Sequence, residues 1–227
     1  MREVPILAAD SITLSLGGRV ILQAAYVDAV PGAITALVGR SGSGKTTLFN
    51  VMVGRRSADR GQVRWNGERL SRSSLPELAR RGLVYHPDRP WLVHHLSLAD
   101  HFRLAGIPDA LEIVESLGVG SWIGTRAGSL SEGELRLSEI AFGFALRPTV
   151  VLLDEPFRGL DPAHRERIAG ALRVFAEQGG AVLYADHDVQ SVRLTANRLF
   201  SIEDGATRIV EGFRDRPLNE WYHAWPH

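Results

Sequence analysis

Three features of the chain predict an α/β fold: a parallel core sheet, an N-terminal antiparallel β layer and a short helical subdomain. Short, continuous apolar runs recur with helical patterns between several of them, which marks parallel strands buried on both faces. Turn signals at Gly17-Gly18 and Asn66-Gly67 divide the opening stretch into hairpin-like pieces. One apolar run passes straight into a glycine-rich loop and then a helical pattern.

In chain order, the antiparallel layer is expected over Ser11 to Leu16, Val20 to Val27 and Gln62 to Trp65. The first core strand, Ile34 to Val38, leads through Gly39–Thr46 into a helix over Lys45 to Met52. Further core strands are expected at Leu83 to Tyr85, Val150 to Leu153, Ala181 to Ala185 and Leu199 to Ile202. Residues 87–147 form the inserted helical subdomain, with patterns at Ser97 to Leu104 and Asp109 to Leu117 and a strongly apolar helix running through Arg147. That last helix opens on Ser131 and Glu134, an S-x-x-E capping box, and is apolar nearly all round, so it is read as buried. Pro90 to Leu96 is an unusually apolar loop that suits either a subdomain core or a docking surface. Residues 213–227 close the chain as an aromatic tail expected to pack on the domain, and residues 1–227 read as one domain.

Composition narrows the function. Acidic and basic residues balance at 26 each, so there is no basic excess and no nucleic-acid partner is expected. With no cysteine, neither disulfides nor thiolate metal sites can form. The opening residues lack a signal-peptide core, and no apolar run approaches the ~20 residues that span a bilayer, so a soluble, cytosolic chain is expected.

Lysine usage is the sharpest signal. Of 26 basic side chains, Lys45 alone is lysine. It lies in Gly39-Arg40-Ser41-Gly42-Ser43-Gly44-Lys45-Thr46, the phosphate-cradling pattern G-x-x-x-x-G-K-[ST], followed by Thr47 in the helix. A compact ammonium on a thin stem fits between β and γ phosphate oxygens, where a planar guanidinium fits poorly. A chance match in a chain this long is about a one-in-a-hundred event. Backbone N–H groups and the helix N-terminus would bind phosphates, the Thr46 hydroxyl would ligate Mg²⁺, and Lys45 would bridge the β and γ groups. Asp154 and Glu155 end a core strand, where ligands bind in open α/β sheets, so Asp154 is placed to hold Mg²⁺ and Glu155 to orient or deprotonate a water. His187 follows another core strand, within reach of a γ-phosphate.

In this order the pieces resemble the nucleotide-binding subunit of ATP-binding cassette transporters, over about Leu7 to Gly212. Gly39 to Thr46 resembles that family's Walker A, Val150 to Glu155 its Walker B with catalytic glutamate, and Leu130 to Glu134 its signature LSGGQ. Phe157 to Asp161 is similar to the D-loop and His187 to the switch histidine. Asp154-Glu155-Pro156-Phe157 with the following Gly-Leu-Asp-Pro resembles most the lipopolysaccharide-export and branched-chain amino-acid types. The resemblance implies ATP and Mg²⁺ as cofactors and hydrolysis that powers a separate transmembrane permease. It further implies a second cassette whose Ser131, Gly133 and Asp161 complete the site, and a cytoplasmic position on the inner face of the membrane. Three positions depart from the family. Leu16 stands where an aromatic residue stacks on adenine. His86 stands at the glutamine that couples Mg²⁺ and γ-phosphate to the permease, and is expected to titrate near neutral pH. Glu132 replaces the first signature glycine. A cassette without a membrane partner, or a weakly hydrolysing regulatory one, are the alternative readings. Asp161 also fits a helix N-cap, since Pro162 and a long helix follow.

Overall fold

The computed structural model describes residues 4–70, 74–107 and 110–215. Strand β1 (Leu7–Leu16) and β2 (Arg19–Ala29) pair antiparallel, with Leu16 opposite Arg19 across Gly17-Gly18. Both turn glycines have positive φ (56° and 81°), which a side chain there resists. Strand β3 (Ile34–Val38) leads through the glycine-rich loop into α1 (Lys45–Met52). Then β4 (Arg60–Trp65) and β5 (Glu68–Arg69) complete a 4-stranded sheet of order β2-β1-β4-β5. Helix α2 (Leu75–Arg80) precedes β6 (Leu83–His86), and α3 (Leu98–Leu104), α4 (Leu111–Leu117) and α5 (Glu132–Ala145) follow it. The chain continues as β7 (Val150–Asp154), α6 (Pro162–Glu177), β8 (Ala181–Asp186), α7 (Val189–Thr195), β9 (Arg198–Glu203) and β10 (Ala206–Ile209). The second sheet is 6-stranded, order β10-β9-β3-β8-β7-β6, and parallel except for β10.

The period of two along the central strands divides their side chains between two cores. Ala36, Val38, Val151, Leu153, Val182 and Tyr184 face α5 and α6. Leu37, Leu152, Leu183 and Ala185 face α1 and the antiparallel sheet, packing with Leu48, Phe49 and Met52. Helix α1 is therefore sandwiched between the sheets, which fixes the loop at its N-terminus.

Each expected strand is present; β3 keeps its expected bounds, and the others run longer than their apolar runs because ladder partners extend them. The sequence reading missed β5 and β10. Strand β10 owes its place to the Asp204-Gly205 turn and to bonds from β2: Gln23 N–H to Gly205 O (2.9 Å) and Tyr26 N–H to Thr207 Oγ1 (2.7 Å). Helix α5 stops at Ala145 rather than Arg147, because Arg147 turns left-handed (φ 51°). The apolar residues of α3 and α4, Leu98, Phe102, Val114 and Leu117, join the same cluster as Val38 and Leu153, so they share a core with the sheet. The loop at 90–96 is divided: Leu92 is buried, Trp91 packs on His86 and Phe142, and Val93 is exposed. At the chain's end Phe213 is buried and Arg214 donates to Ala196 O, whereas the aromatic stretch Leu218 to Trp225 lies outside the described residues. Among the described residues no helix is long and apolar enough to cross a membrane.

Candidate active site

The loop after β3 is shaped by sterics at its glycines. A Cβ on Gly39 would come within 2.5 Å of Ile202 O and 2.7 Å of Ser43 Oγ. Gly42 and Gly44 adopt φ of 82° and 109°, and Gly44 is the N-cap of α1. With glycine as cap, no side chain competes for the free N–H groups at the start of α1. Arg40, Ser41 and Gly42 are exposed at the loop's crest, Thr46 is exposed beside them, and Thr47 is half-buried.

Lys45 is 6% exposed, and its ammonium donates to Gly39 O (2.6 Å) and Arg40 O (3.0 Å). Two of its three donors thus brace the loop and one remains. Burial lowers its pKa, while Glu155, Asp154 and Asp186 oppose that shift. The two aspartates end the adjacent parallel strands β7 and β8, which brings them to one edge beside the loop. Asp154 is 1% exposed, and neither of its carboxylate oxygens has a hydrogen-bond partner. Burial pushes its pKa up to about 6. The nearby Thr46 hydroxyl offsets part of that without reaching full hydrogen-bond geometry, and the charges of Asp88 and Glu155 add to the rise. One Asp186 oxygen is likewise orphaned, the other accepting from His187 N–H and Asp188 N–H.

Orphaned buried carboxylate oxygens facing a hydroxyl fit a hard divalent cation, the more so with a single ammonium among several carboxylates. Among the described residues there is no group of three or more His, Cys, Asp or Glu side chains that could cage a metal alone. Mg²⁺ held by Thr46 and Asp154, with phosphate and water oxygens supplying the rest, needs no such cage.

Glu155 directly follows β7 in a left-handed conformation (φ 50°), a strained backbone for a non-glycine residue. Its N–H bonds to Ala185 O at 2.8 Å, which holds the strain. The carboxylate lies 3.6 Å from His187 Nδ1 and 3.4 Å from Arg158 Nη1. Glu155 and His187, read separately from the sequence, are thus neighbours at the open edge, and the His187 ring is 56% exposed.

Ser131, Gly133 and Asp161 form a separate group. Ser131 caps α5, accepting from Glu134 N–H (3.3 Å) and donating to Glu134 Oε2 (2.8 Å). Asp161 caps α6 through His164 N–H (2.8 Å) and pairs with His164 Nδ1 (2.6 Å). A Cβ on Gly133 would meet His164 at 3.0 Å, and one on Gly159 would meet the Glu132 carboxylate at 2.9 Å, so the starts of α5 and α6 are packed together. Leu16 sits half-buried at the end of β1, against the core shared with α1.

The expectation for His86 needs correction. Its ring is 1% exposed, Nδ1 accepts from Trp91 Nε1 (3.2 Å), and Nε2 is buried against Gly143 of α5. No lone pair remains for a metal, and burial, with Arg136 adding to it, pushes the pKa down to about 3 rather than near neutrality. The residue of this loop whose charge adds to the rise at Asp154 is Asp88, which the sequence reading did not single out. The available signal was an acidic residue just past a core strand.

Known proteins resemble the chain in sequence and in fold. The family model described as "ABC transporter" matches residues 22–158. The chain is similar to the lipopolysaccharide export system ATP-binding protein LptB of Acidithiobacillus ferridurans, 32% identical over 88% of this chain and 87% of that protein. It is also similar to a probable ABC transporter ATP-binding protein of Azorhizobium caulinodans, 32% identical over 91% of this chain and 76% of the other. Its fold matches the ADP conformation of an ATP-binding cassette of an ABC transporter with TM-score 0.83, at 23% identity over 96% and 98% of the two chains. A dimeric cassette in a post-hydrolysis state bound to ADP and Pi matches with TM-score 0.79, at 20% identity over 91% and 99%.

Proposed function

We propose that this chain, which belongs to the ATP-binding cassette (ABC) transporter family, binds ATP with Mg²⁺ and hydrolyses it to power transport by a separate membrane-spanning subunit. Family members of this kind are ATP-binding subunits that energise partner membrane components. One observation carries the reading: the chain's lone lysine braces the phosphate loop beside Asp154, whose buried oxygens lack any protein partner and face Thr46.

Mg²⁺, which Thr46 and Asp154 would hold, would supply charge neutralisation to the triphosphate. The first-turn amides of α1 and the free donor of Lys45 hold the triphosphate. Glu155, aimed by its left-handed backbone, orients the attacking water, and His187 beside it donates to the γ-phosphate as charge builds there. Ser131, Gly133 and Asp161 gather at the packed starts of α5 and α6. They are read as serving a nucleotide held by a second cassette, so two cassettes close over ATP. The chain then works at the cytoplasmic face of a membrane through its permease. Kinship with LptB accords with the lipopolysaccharide-export resemblance of the Walker B segment.

The test is Mg²⁺-dependent phosphate release by the purified chain, alone and with its permease, against Glu155→Gln. Wild type is expected to turn over, and the variant to retain ATP and shift to a dimer in size-exclusion chromatography. No turnover by wild type in either setting would overturn the assignment.

A further inference from the structure

Helix α5 carries an ion pair that the proposed chemistry does not use. Arg136 and Glu139 lie 3.3 Å apart, with side chains 9% and 2% exposed. Both reach across to the loop after β6. Arg136 Nη1 donates to Pro87 O (3.0 Å) and Nη2 to Asp88 O (3.4 Å), while Glu139 Oε1 accepts from Trp91 N–H (2.7 Å). Beneath them Trp91 Nε1 closes on His86 Nδ1. The loop is thus gripped at both ends by side chains of one helix. Pro87 and Pro90 have no N–H of their own with which to bond elsewhere.

We propose that Arg136 and Glu139 are positioning residues: they carry the loop at 87–92, and Asp88 with it, as one body with α5, so that the seat of α5 sets how this loop leaves β6, whose last residue His86 pairs with Leu153 next to Asp154. The same helix bears Ser131 and Gly133 on its first turn. Anything that engages that end of α5 is therefore transmitted to the cation site through rigid hydrogen bonds. A buried ion pair is seldom more stabilising than an apolar pair of the same volume, so stability alone does not account for it, whereas fixing a geometry does. The inference rests on the ATP–Mg²⁺ reading for its consequence but not for its geometry, and the experiment separates the two.

The double variant Arg136→Met/Glu139→Leu fills the space without leaving a lone buried charge. It is expected to fold, with hydrogen exchange at the amides of Asp88, Arg89, Trp91 and Leu92 accelerated tenfold or more. The Mg²⁺ concentration for half-maximal phosphate release should rise about tenfold, the scale of lost outer-shell support, while KM for ATP at saturating Mg²⁺ stays within about twofold. Should the double variant not fold, Glu139→Gln keeps an acceptor for Trp91 N–H while discharging the pair, and a smaller shift of the same sign is expected. A folded variant with wild-type exchange overturns the clamp, and one with faster exchange but wild-type Mg²⁺ dependence overturns the positioning role, since a merely structural pair would loosen the loop and leave the Mg²⁺ dependence unmoved. If wild type releases no phosphate, the nucleotide reading fails by itself. Exchange at 88–92 then still decides the clamp, since unchanged protection in the variant refutes it.

Discussion

Asp154 offers the most quantitative test, because the residue that would hold the cation is costly to the fold without one. Its pKa is raised from 3.8 to about 6, mainly by burial, so the folded chain holds a proton that the unfolded chain releases. Between those values the fold binds the extra proton, and stability falls as pH rises through the window, then levels off above it. A rise of roughly two units corresponds to about 3 kcal/mol of destabilisation at neutral pH. Asp154→Asn removes the charge but keeps the shape. Its amide remains unpartnered, so a net gain of about 1–2 kcal/mol is expected. In a chain of this size that raises Tm by roughly 2–8 °C. Thermal unfolding in chelator without nucleotide, at about pH 7.5 and about pH 4.5, reads it directly; the gap should narrow at the lower pH, where wild-type Asp154 is mostly protonated. With ATP and Mg²⁺ the order should reverse, wild type gaining and the variant not. A variant less stable than wild type at neutral pH, or a gap independent of pH, would refute the assignment of strain to this carboxylate.

Other substitutions probe the loop. Lys45→Arg conserves charge, but a guanidinium cannot occupy the cleft in which the ammonium bonds Gly39 O and Arg40 O, so equilibrium binding should show ATP affinity lost. Unchanged affinity would sink the point-charge argument. Gly39→Ala places a Cβ within 2.5 Å of the Ile202 carbonyl and should cost about 1–3 kcal/mol in denaturant titration, with weakened nucleotide binding. A stability equal to wild type would show that β9 yields more easily than the packing implies.

Much of the site was legible because its signals are local. A glycine loop between an apolar strand and a helix, a carboxylate pair ending a core strand, and S-x-x-E before an apolar helix each depend on residues close in sequence, and all lie where they were expected. His86 was misjudged and Asp88 passed over because their roles depend on what stands opposite. Strand β6 alternates, so Tyr85 turns to the α1 core while His86 turns to α5, where Gly143 leaves room for the ring. The β6–β7 register, His86 beside Leu153, then carries the following loop toward Asp154.

Residue order alone determined the phosphate loop, the helix caps and the alternation of buried strands, since backbone sterics and short-range hydrogen bonding settle those without distant partners. Which carboxylates share an edge, which way the His86 ring points and what the buried Arg136–Glu139 pair grips were decided only by tertiary structure. Strand order and helix seating are set by burial of whole faces, and no window of sequence contains both sides of such a contact.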